Sequence, residues 1–406
     1  MLAALAEGKT AAEGLLEGED VLRTVTAFRR MGVAIHGPTD GRVEIDGVGM
    51  YGLSAPAQPL DMGNSGTAMR LLAGILAAQR FDSELIGDAS LTRRPMKRVV
   101  EPLRAMGASI EAADSGRPPL RIRGGQKLSG IDYPLPVPSA QVKSSILLAG
   151  LYAAGETAVT EPAPTRDHTE RMLRAFGYKV EVDGATTRLR SGGRLRATSL
   201  KIPADISAAA FFLVGASIAP GSQLLLPEVG INPTRIGVLN ILRLMGGDID
   251  VVNPRTLGGE PVGDLRVSSR RLRGVRIPRE QVPLAIDELP AVLIAAACAD
   301  GETVLSGAEE LRVKESDRIA AMAAGLTAVG IEARETADGI IVRGGRVTGG
   351  VVESHGDHRI AMAFAMAGLA AARAITIRDC KNVDTSFPGF VGLARAAGLR
   401  IETSGT

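Results

Sequence analysis

Six times along its 406 residues, this chain closes a helical stretch with glycine and turns at once into a short alternating segment. The copies read AFRRMGVAI, PLRAMGASI, MLRAFGYKV, ILRLMGGDI, GLTAVGIEA and LARAAGLRI. Their glycines are Gly32, Gly107, Gly177, Gly246, Gly330 and Gly398, spaced 75, 70, 69, 84 and 68 residues apart. Glycine suits the left-handed residue after a helix C-terminus, where any other residue meets a steric penalty. One Leu-x-x-x-Gly says little about a fold. Six at near-constant spacing define a repeat architecture.

Each unit also carries a second, more apolar helix behind a polar entrance. These read GNSGTAMRLLAGILAA, SAQVKSSILLAGLYAAGET, ADISAAAFFLVGASIAPG, IDELPAVLIAAACADGET and GDHRIAMAFAMAGLAAA. Helices apolar on all sides are buried ones, and their N-termini, with unpaired N–H groups and a positive dipole end, are anion sites. The opening MLAALAEGKT aligns with the tail of these helices, so the first entrance and the strand feeding it are expected to be missing. Short alternating segments such as GRVEIDGVG, PLRIRGG and GIIVRGG predict about four strands per unit. Six units then suggest two pseudo-threefold domains, residues 1–202 and 203–406, joined near LKIPADIS. A ligand cleft between the halves is the default expectation.

Composition narrows the function classes. Lys plus Arg number 47 against 45 Asp plus Glu, and only 3% of residues are aromatic, with no tryptophan. No basic block or stacking platform for nucleic acid is present. The longest apolar runs, near Ala208–Ala219 and Ala291–Ala299, are too short for a membrane span. Two cysteines, Cys298 and Cys380, each read as lying in an apolar setting, make no disulfide framework and predict a reducing cytoplasm.

The entrance loops hold polar residues that a buried helix does not need. Asn64, Gly66, Thr67 and Arg70 open one helix, with Asn64 as its expected cap; Arg93 and Arg94 precede Pro95; Ser139, Gln141 and Lys143 open another. Capping explains Ser139, and either Thr165 or Asp167, but not Arg166 beside them. Asp287 and Glu288 head a very apolar helix, while Lys314 and Arg318 are expected four apart on one helical face with Glu315 between. Asp357, His358 and Arg359 stand before the last entrance. His355 and His358 lack a third ligand at metal-binding spacing, so no metal site is expected. Arginine forks, lysines and helix N-termini together suit phosphates and a carboxylate, and a carboxylate among cations suits proton transfer. No GxxxxGK[ST] loop occurs, which leaves ATP-driven chemistry without support.

The motifs GNSGTAMR, LTRRPM, PSAQVKSS, LRVKESDR, GDHRIAMAF and TSFPGF, in this order from Met1 to about Ile401, resemble those of the 5-enolpyruvylshikimate-3-phosphate synthases (3-phosphoshikimate 1-carboxyvinyltransferases). The resemblance implies an α/β fold, a two-domain inside-out α/β barrel (the enolpyruvyl transferase fold), with six repeated units, three per domain. It implies transfer of the enolpyruvyl group of phosphoenolpyruvate to the 5-hydroxyl of shikimate 3-phosphate, releasing phosphate, through a tetrahedral intermediate and without metal or organic cofactor. By motif match, Asn64, Gly66, Arg94, Gln141, Arg318 and Arg359 are expected to bind phosphoenolpyruvate. Ser139, Gln141, Thr165, Arg166, Asp287 and Lys314 are expected to bind shikimate 3-phosphate. Asp287 is the expected base and Glu315 the expected proton carrier at the methylene carbon. The partners implied are these small molecules, with no nucleic acid and no membrane, acting on a cytoplasmic monomer.

Three departures accompany the resemblance. Ala140 stands where many relatives have a second serine, and Ser386 where many have lysine. The family's N-terminal P-G-D-K-S-x-S-x-R segment is absent before Met1. Its loss is expected to remove a lysine, a serine and an arginine from the site and to leave a strand edge open, so that either the start is assigned too late or a separate N-terminal fragment completes the site. The alternative is a catalytically impaired fragment that binds substrate without turnover. The related transferase acting on UDP-N-acetylglucosamine is disfavoured because GDASLTRRPM lacks the reactive cysteine typical of that loop.

Overall fold

The computed structural model describes residues 1–404, which gather into two compact units. The first comprises Met1–Ile202 together with Leu257–Gly259; the second comprises Pro203–Thr256 and the chain from Glu260 onward. Each has its own hydrophobic core, one built from residues between Leu2 and Leu195, the other from residues between Ile206 and Leu399.

In the first unit three four-stranded sheets repeat one plan. Their strand orders are Ser199–Lys201, Glu7–Glu13, Arg42–Val48, Ala34–Thr39; then Leu60–Asp61, Ser83–Ile86, Arg117–Arg123, Ser109–Ala113; then Asp132–Pro134, Glu156–Thr160, Thr186–Arg190, Glu181–Asp183. The first pair in each order is parallel and the others antiparallel. Beside Glu7–Glu13, Ser199–Lys201 forms the parallel edge, pairing Ala11 with Ser199 through Glu13 with Lys201. The second unit keeps the plan with fewer strands. Its sheets have three, three and two strands among the described residues, rather than about four each. In its first two sheets the parallel edges shrink to isolated bridges, Ala204 with Val229 and Arg273 and Arg276 with Asp300 and Val304, while the two-stranded sheet keeps a parallel pair, Gly350–Glu353 with Ile375–Arg378. Pro203 and Pro278, beside these bridges, offer no N–H to extend them. No strand follows Gly398 within residues 399–404.

The six apolar helices are Leu2–Leu5, Gly66–Leu76 and Ala140–Gly150 in the first unit, and Ile206–Ile218, Leu289–Ala297 and His358–Ala367 in the second. They are buried over nearly their whole length. Gly74 shows how closely two of them pack: a Cβ there would lie 2.2 Å from the Ser145 carbonyl oxygen. The helices Glu19–Arg30, Lys97–Ala105, His168–Ala175, Gly237–Leu244, Arg318–Ala328 and Phe390–Ala396 are followed by the six repeat glycines. All six glycines adopt positive φ, from +79° to +102°.

A recurrent arginine locks these helix ends. Arg29, Arg104, Arg174, Arg243 and Arg395, each three residues before its glycine, donate from Nε at 2.8–3.2 Å to the carbonyls of Ile35, Ile110, Val180, Ile249 and Ile401. Every one of these carbonyls lies six residues further on, so the side chain spans the turn and fixes the direction of the departing segment. The fifth copy has Thr327 at this place instead.

Candidate active site

In the first unit the entrances of two buried helices converge. Ser65, not Asn64, caps the Gly66–Leu76 helix, its Oγ accepting from the Ala68 N–H at 3.2 Å, and Asn64 lies half-buried in the preceding turn. The shorter serine side chain at the residue next to the helix is better placed to reach that N–H. Arg70, one turn in, donates to Gln141 Oε1 at 2.5 Å, and Gln141 Nε2 donates to Thr67 Oγ1 at 2.8 Å. Arg94, on the stretch after the short Leu91–Arg93 helix, donates to Ser90 Oγ at 3.3 Å. Gly66 is small for a reason: a Cβ there would stand 3.2 Å from both Arg70 Nη1 and Arg94 Nη1. Gly66, Arg94 and Gln141 are therefore neighbours around one helix N-terminus, an arrangement that suits an anion. Ser139 caps the Ala140–Gly150 helix by accepting from the Val142 N–H at 3.4 Å, which leaves its O–H able to donate. Thr165 and Arg166 sit on the loop before His168–Ala175, where the Thr165 hydroxyl donates to Glu161. Asp167 makes no side-chain cap and pairs instead with Arg171 Nε at 2.8 Å.

In the second unit one guanidinium organises the chemistry. Arg318, only 1% exposed, donates from Nε to Asp357 Oδ2 at 2.8 Å and from Nη2 to Glu315 Oε2 at 2.6 Å, while Nη1 lies 3.6 Å from Asp287 Oδ1. Asp357 also caps the last buried helix through the Arg359 N–H at 2.9 Å and accepts from Ser316 Oγ at 3.0 Å. Lys314 Nζ approaches Asp287 Oδ1 at 3.5 Å and binds Glu310 at 2.9 Å; Arg359 Nη1 donates to the Asp287 carbonyl at 2.9 Å. Asp287, Lys314, Glu315, Arg318 and Arg359 thus form one cluster. Lys314 does not share a helical face with Arg318. The helix begins at Arg318, capped by Asp317, and Lys314 and Glu315 lie in the loop after the Glu309–Val313 turn. The Asp317 cap outcompetes one further helical turn, and this turns Lys314 toward Asp287.

Burial and charge set the protonation of this cluster. Burial pushes the Asp357 carboxyl up, but Arg318 outweighs it and holds the group at about 2. Burial, then Arg359, drives His358 down to about 4, so it is neutral near pH 7. Burial weakens the Arg318 proton, yet Asp357 and Glu315 more than restore it, so the guanidinium stays charged. Arg318 Nη1 is buried without a hydrogen-bond partner. Among the described residues, no group of three or more His, Cys, Asp or Glu is placed to hold a metal ion.

Sequence reasoning missed Arg235 here. Its Nη2 lies 3.1 Å from Asp205, 2.5 Å from Ser207 Oγ and 3.6 Å from the buried Glu288, joining the entrances of the Ile206–Ile218 and Leu289–Ala297 helices. A signal was present: Pro233-Thr234-Arg235 repeats Pro164-Thr165-Arg166, and both arginines precede their repeat glycine by eleven residues. Cys298, at the end of its apolar helix, is pushed up to about 11 by burial, which suits an inert thiol. Cys380 is exposed rather than apolar in setting, because Asp379 and Lys381 flank it on a loop.

The chain superposes on EPSP synthase from Acinetobacter baumannii with a TM-score of 0.91 at 58% identity, covering all of this chain and 93% of that one. Its architecture is the enolpyruvyl transferase fold. The family model of EPSP synthase (3-phosphoshikimate 1-carboxyvinyltransferase) matches residues 1–393. The 3-phosphoshikimate 1-carboxyvinyltransferase of Methylococcus capsulatus is 65% identical over 404 residues, which is all of this chain and 92% of the relative. That of Alkalilimnicola ehrlichii is 63% identical over 99% of this chain and 90% of the relative. The chain belongs to the EPSP synthase family. No described helix is long and apolar enough to cross a membrane.

Proposed function

We propose that the chain is a 3-phosphoshikimate 1-carboxyvinyltransferase, moving the enolpyruvyl group of phosphoenolpyruvate to the 5-hydroxyl of shikimate 3-phosphate on the route to aromatic amino acids. The observation that carries the site assignment is Arg318: a guanidinium 1% exposed, with Nη1 unsatisfied, set among Asp287, Glu315 and Asp357. A buried donor without a partner calls for an acceptor, and an anionic substrate supplies one. Asp287 takes the proton of the 5-hydroxyl as its oxygen bonds to C2 of phosphoenolpyruvate, while Glu315 protonates the methylene carbon to give the tetrahedral intermediate. Loss of a proton from the new methyl group then expels phosphate and restores the double bond.

Arg318 and Arg359 hold phosphoenolpyruvate, assisted by Asn64, Gly66, Arg94 and Gln141. Shikimate 3-phosphate is held by Ser139, Gln141, Thr165, Arg166 and Lys314 together with Asp287. Lys314 lies 3.5 Å from Asp287, an opposite charge beside the carboxylate that serves as base. The enzyme works in the cytoplasm, in keeping with its two free thiols.

The test is phosphate release from phosphoenolpyruvate with shikimate 3-phosphate or UDP-N-acetylglucosamine as acceptor. Turnover with shikimate 3-phosphate alone is expected, and Asp287→Asn and Glu315→Gln are each expected to lower kcat by about 100-fold or more. Release with the nucleotide sugar, or a full rate in either variant, refutes the assignment.

A further inference from the structure

Lys143 is hard to explain as packing. It lies one turn inside the Ala140–Gly150 helix and is 1% exposed, among the largest fully buried side chains in the protein. A cation there is opposed by the helix dipole, and burying an ammonium is unfavourable unless it is well paired. A leucine or methionine would fill the same space without either penalty. What the ammonium does instead is reach two acidic residues from other elements. Its Nζ is 2.8 Å from Glu161, just beyond the Glu156–Thr160 strand, and 2.7 Å from Glu170, in the first turn of His168–Ala175.

Between those two glutamates runs the loop that carries Thr165 and Arg166. Glu161 also accepts from the Thr165 hydroxyl, and Glu170 accepts from Thr187 Oγ1 at 3.4 Å. One ammonium therefore ties the helix entrance bearing Ser139 and Gln141 to both ends of the Thr165–Arg166 loop. Lys143 pairs with both carboxylates, and Glu170 Oε2 is buried with no hydrogen-bond partner. Without Lys143 the two carboxylates would lose the ammonium that they share.

We propose that Lys143 is a positioning residue for shikimate 3-phosphate, fixing Thr165 and Arg166 relative to Ser139 and Gln141 through Glu161 and Glu170. The proposal rests on the substrate assignment above. It touches no substrate atom itself, so its signature is a selective one. A loose loop weakens the phosphorylated acceptor, whereas a merely structural defect lowers stability and affects both substrates alike.

The experiment compares the whole chain with Lys143→Met, Lys143→Arg, Glu161→Gln and the Lys143→Met/Glu161→Gln double variant. It measures calorimetric binding of shikimate 3-phosphate, the KM of each substrate with the other saturating, kcat, and the melting temperature. Lys143→Met is expected to raise the shikimate 3-phosphate Kd by about tenfold, with the phosphoenolpyruvate KM within about twofold of the parent. Lys143→Arg should recover part of the loss, and the double variant should be no worse than Lys143→Met, because both changes cut one link. An unchanged Kd, equal weakening of both substrates, or additive losses overturns the proposal. If Lys143→Met does not fold, Glu161→Gln, which keeps the side-chain shape, carries the same comparison. If the parent chain itself fails to bind shikimate 3-phosphate, the substrate assignment falls and takes the proposal with it. A binding parent beside an indifferent variant sinks the proposal alone.

Discussion

Asp357 and His358 are adjacent, yet burial and charge move them through different pH windows. The Asp357 carboxyl lies at about 2 against an ordinary 3.8, so its contribution to stability is complete above 3.8 and is lost as pH falls toward 2. His358 lies at about 4 against an ordinary 6.5, so between those values the unfolded chain binds the extra proton and stability is lost as pH falls from 6.5 to 4. The expected acid profile therefore has two legs, together worth a few kcal/mol. Urea unfolding as a function of pH checks this. His358→Gln should flatten the upper leg and Asp357→Asn the lower one. At neutral pH Asp357→Asn should also lower stability by about 3 kcal/mol, since Arg318 would lose a buried partner. An upper leg that survives in His358→Gln would show that some other group is responsible. Composition could not anticipate this pair. GDHR shows an acid and two bases in a row, but only the fold gives Asp357 three donors, from Arg318, Ser316 and the Arg359 N–H.

Much of the element scale could be read from the chain, because it depends on local rules repeated six times. Gly32, Gly107, Gly177, Gly246, Gly330 and Gly398 each took the left-handed conformation that their position after a helix demands. What could not be read depended on distant partners or on competition between near-equal local choices. Ser65 and Asn64 are both good caps, and Lys314 and Arg318 fit a helical face until Asp317 is known to start the helix. Lys143 looks like an entrance residue until Glu161 and Glu170 are found beside it. The arginine locks are visible in sequence only as an Arg three residues before the glycine, and their meaning lies in the carbonyl six residues later that each one reaches. They make a clear prediction. Arg104→Ala removes hydrogen bonds from a charged, part-buried donor to Ile110 O and should lower unfolding free energy by about 1–2 kcal/mol. Thr327→Ala, at the same place in the copy that lacks the lock, should change it by under about 0.5 kcal/mol. Denaturant unfolding of both variants decides, and equal effects would mean that the lock contributes nothing.

At the scale of the whole molecule, repetition has produced two cores rather than one. The buried residues around Phe28, Met69 and Phe176 and those around Phe211, Phe364 and Phe390 form clusters with no member in common. The chain passes from the first unit to the second at Ile202–Pro203 and returns briefly at Leu257–Gly259. Each cluster supplies the apolar burial its own three units need, which is the condition for a unit to open by itself. Phe364 offers a direct probe. It is fully buried in the His358–Ala367 helix, and Gly325 lies so close that a Cβ there would meet its ring at 2.4 Å. Phe364→Ala leaves a cavity that the tightly packed neighbouring helix cannot readily fill, a loss of about 3–5 kcal/mol. Hydrogen exchange followed by mass spectrometry should then show faster exchange in Ile206–Ile218, Leu289–Ala297 and His358–Ala367. Gly66–Leu76 and Ala140–Gly150 should keep the protection they have in the parent. Phe28→Ala should give the converse pattern. Uniform acceleration across all five helices in either variant would mean that the two cores rise and fall together, as a single cooperative body would.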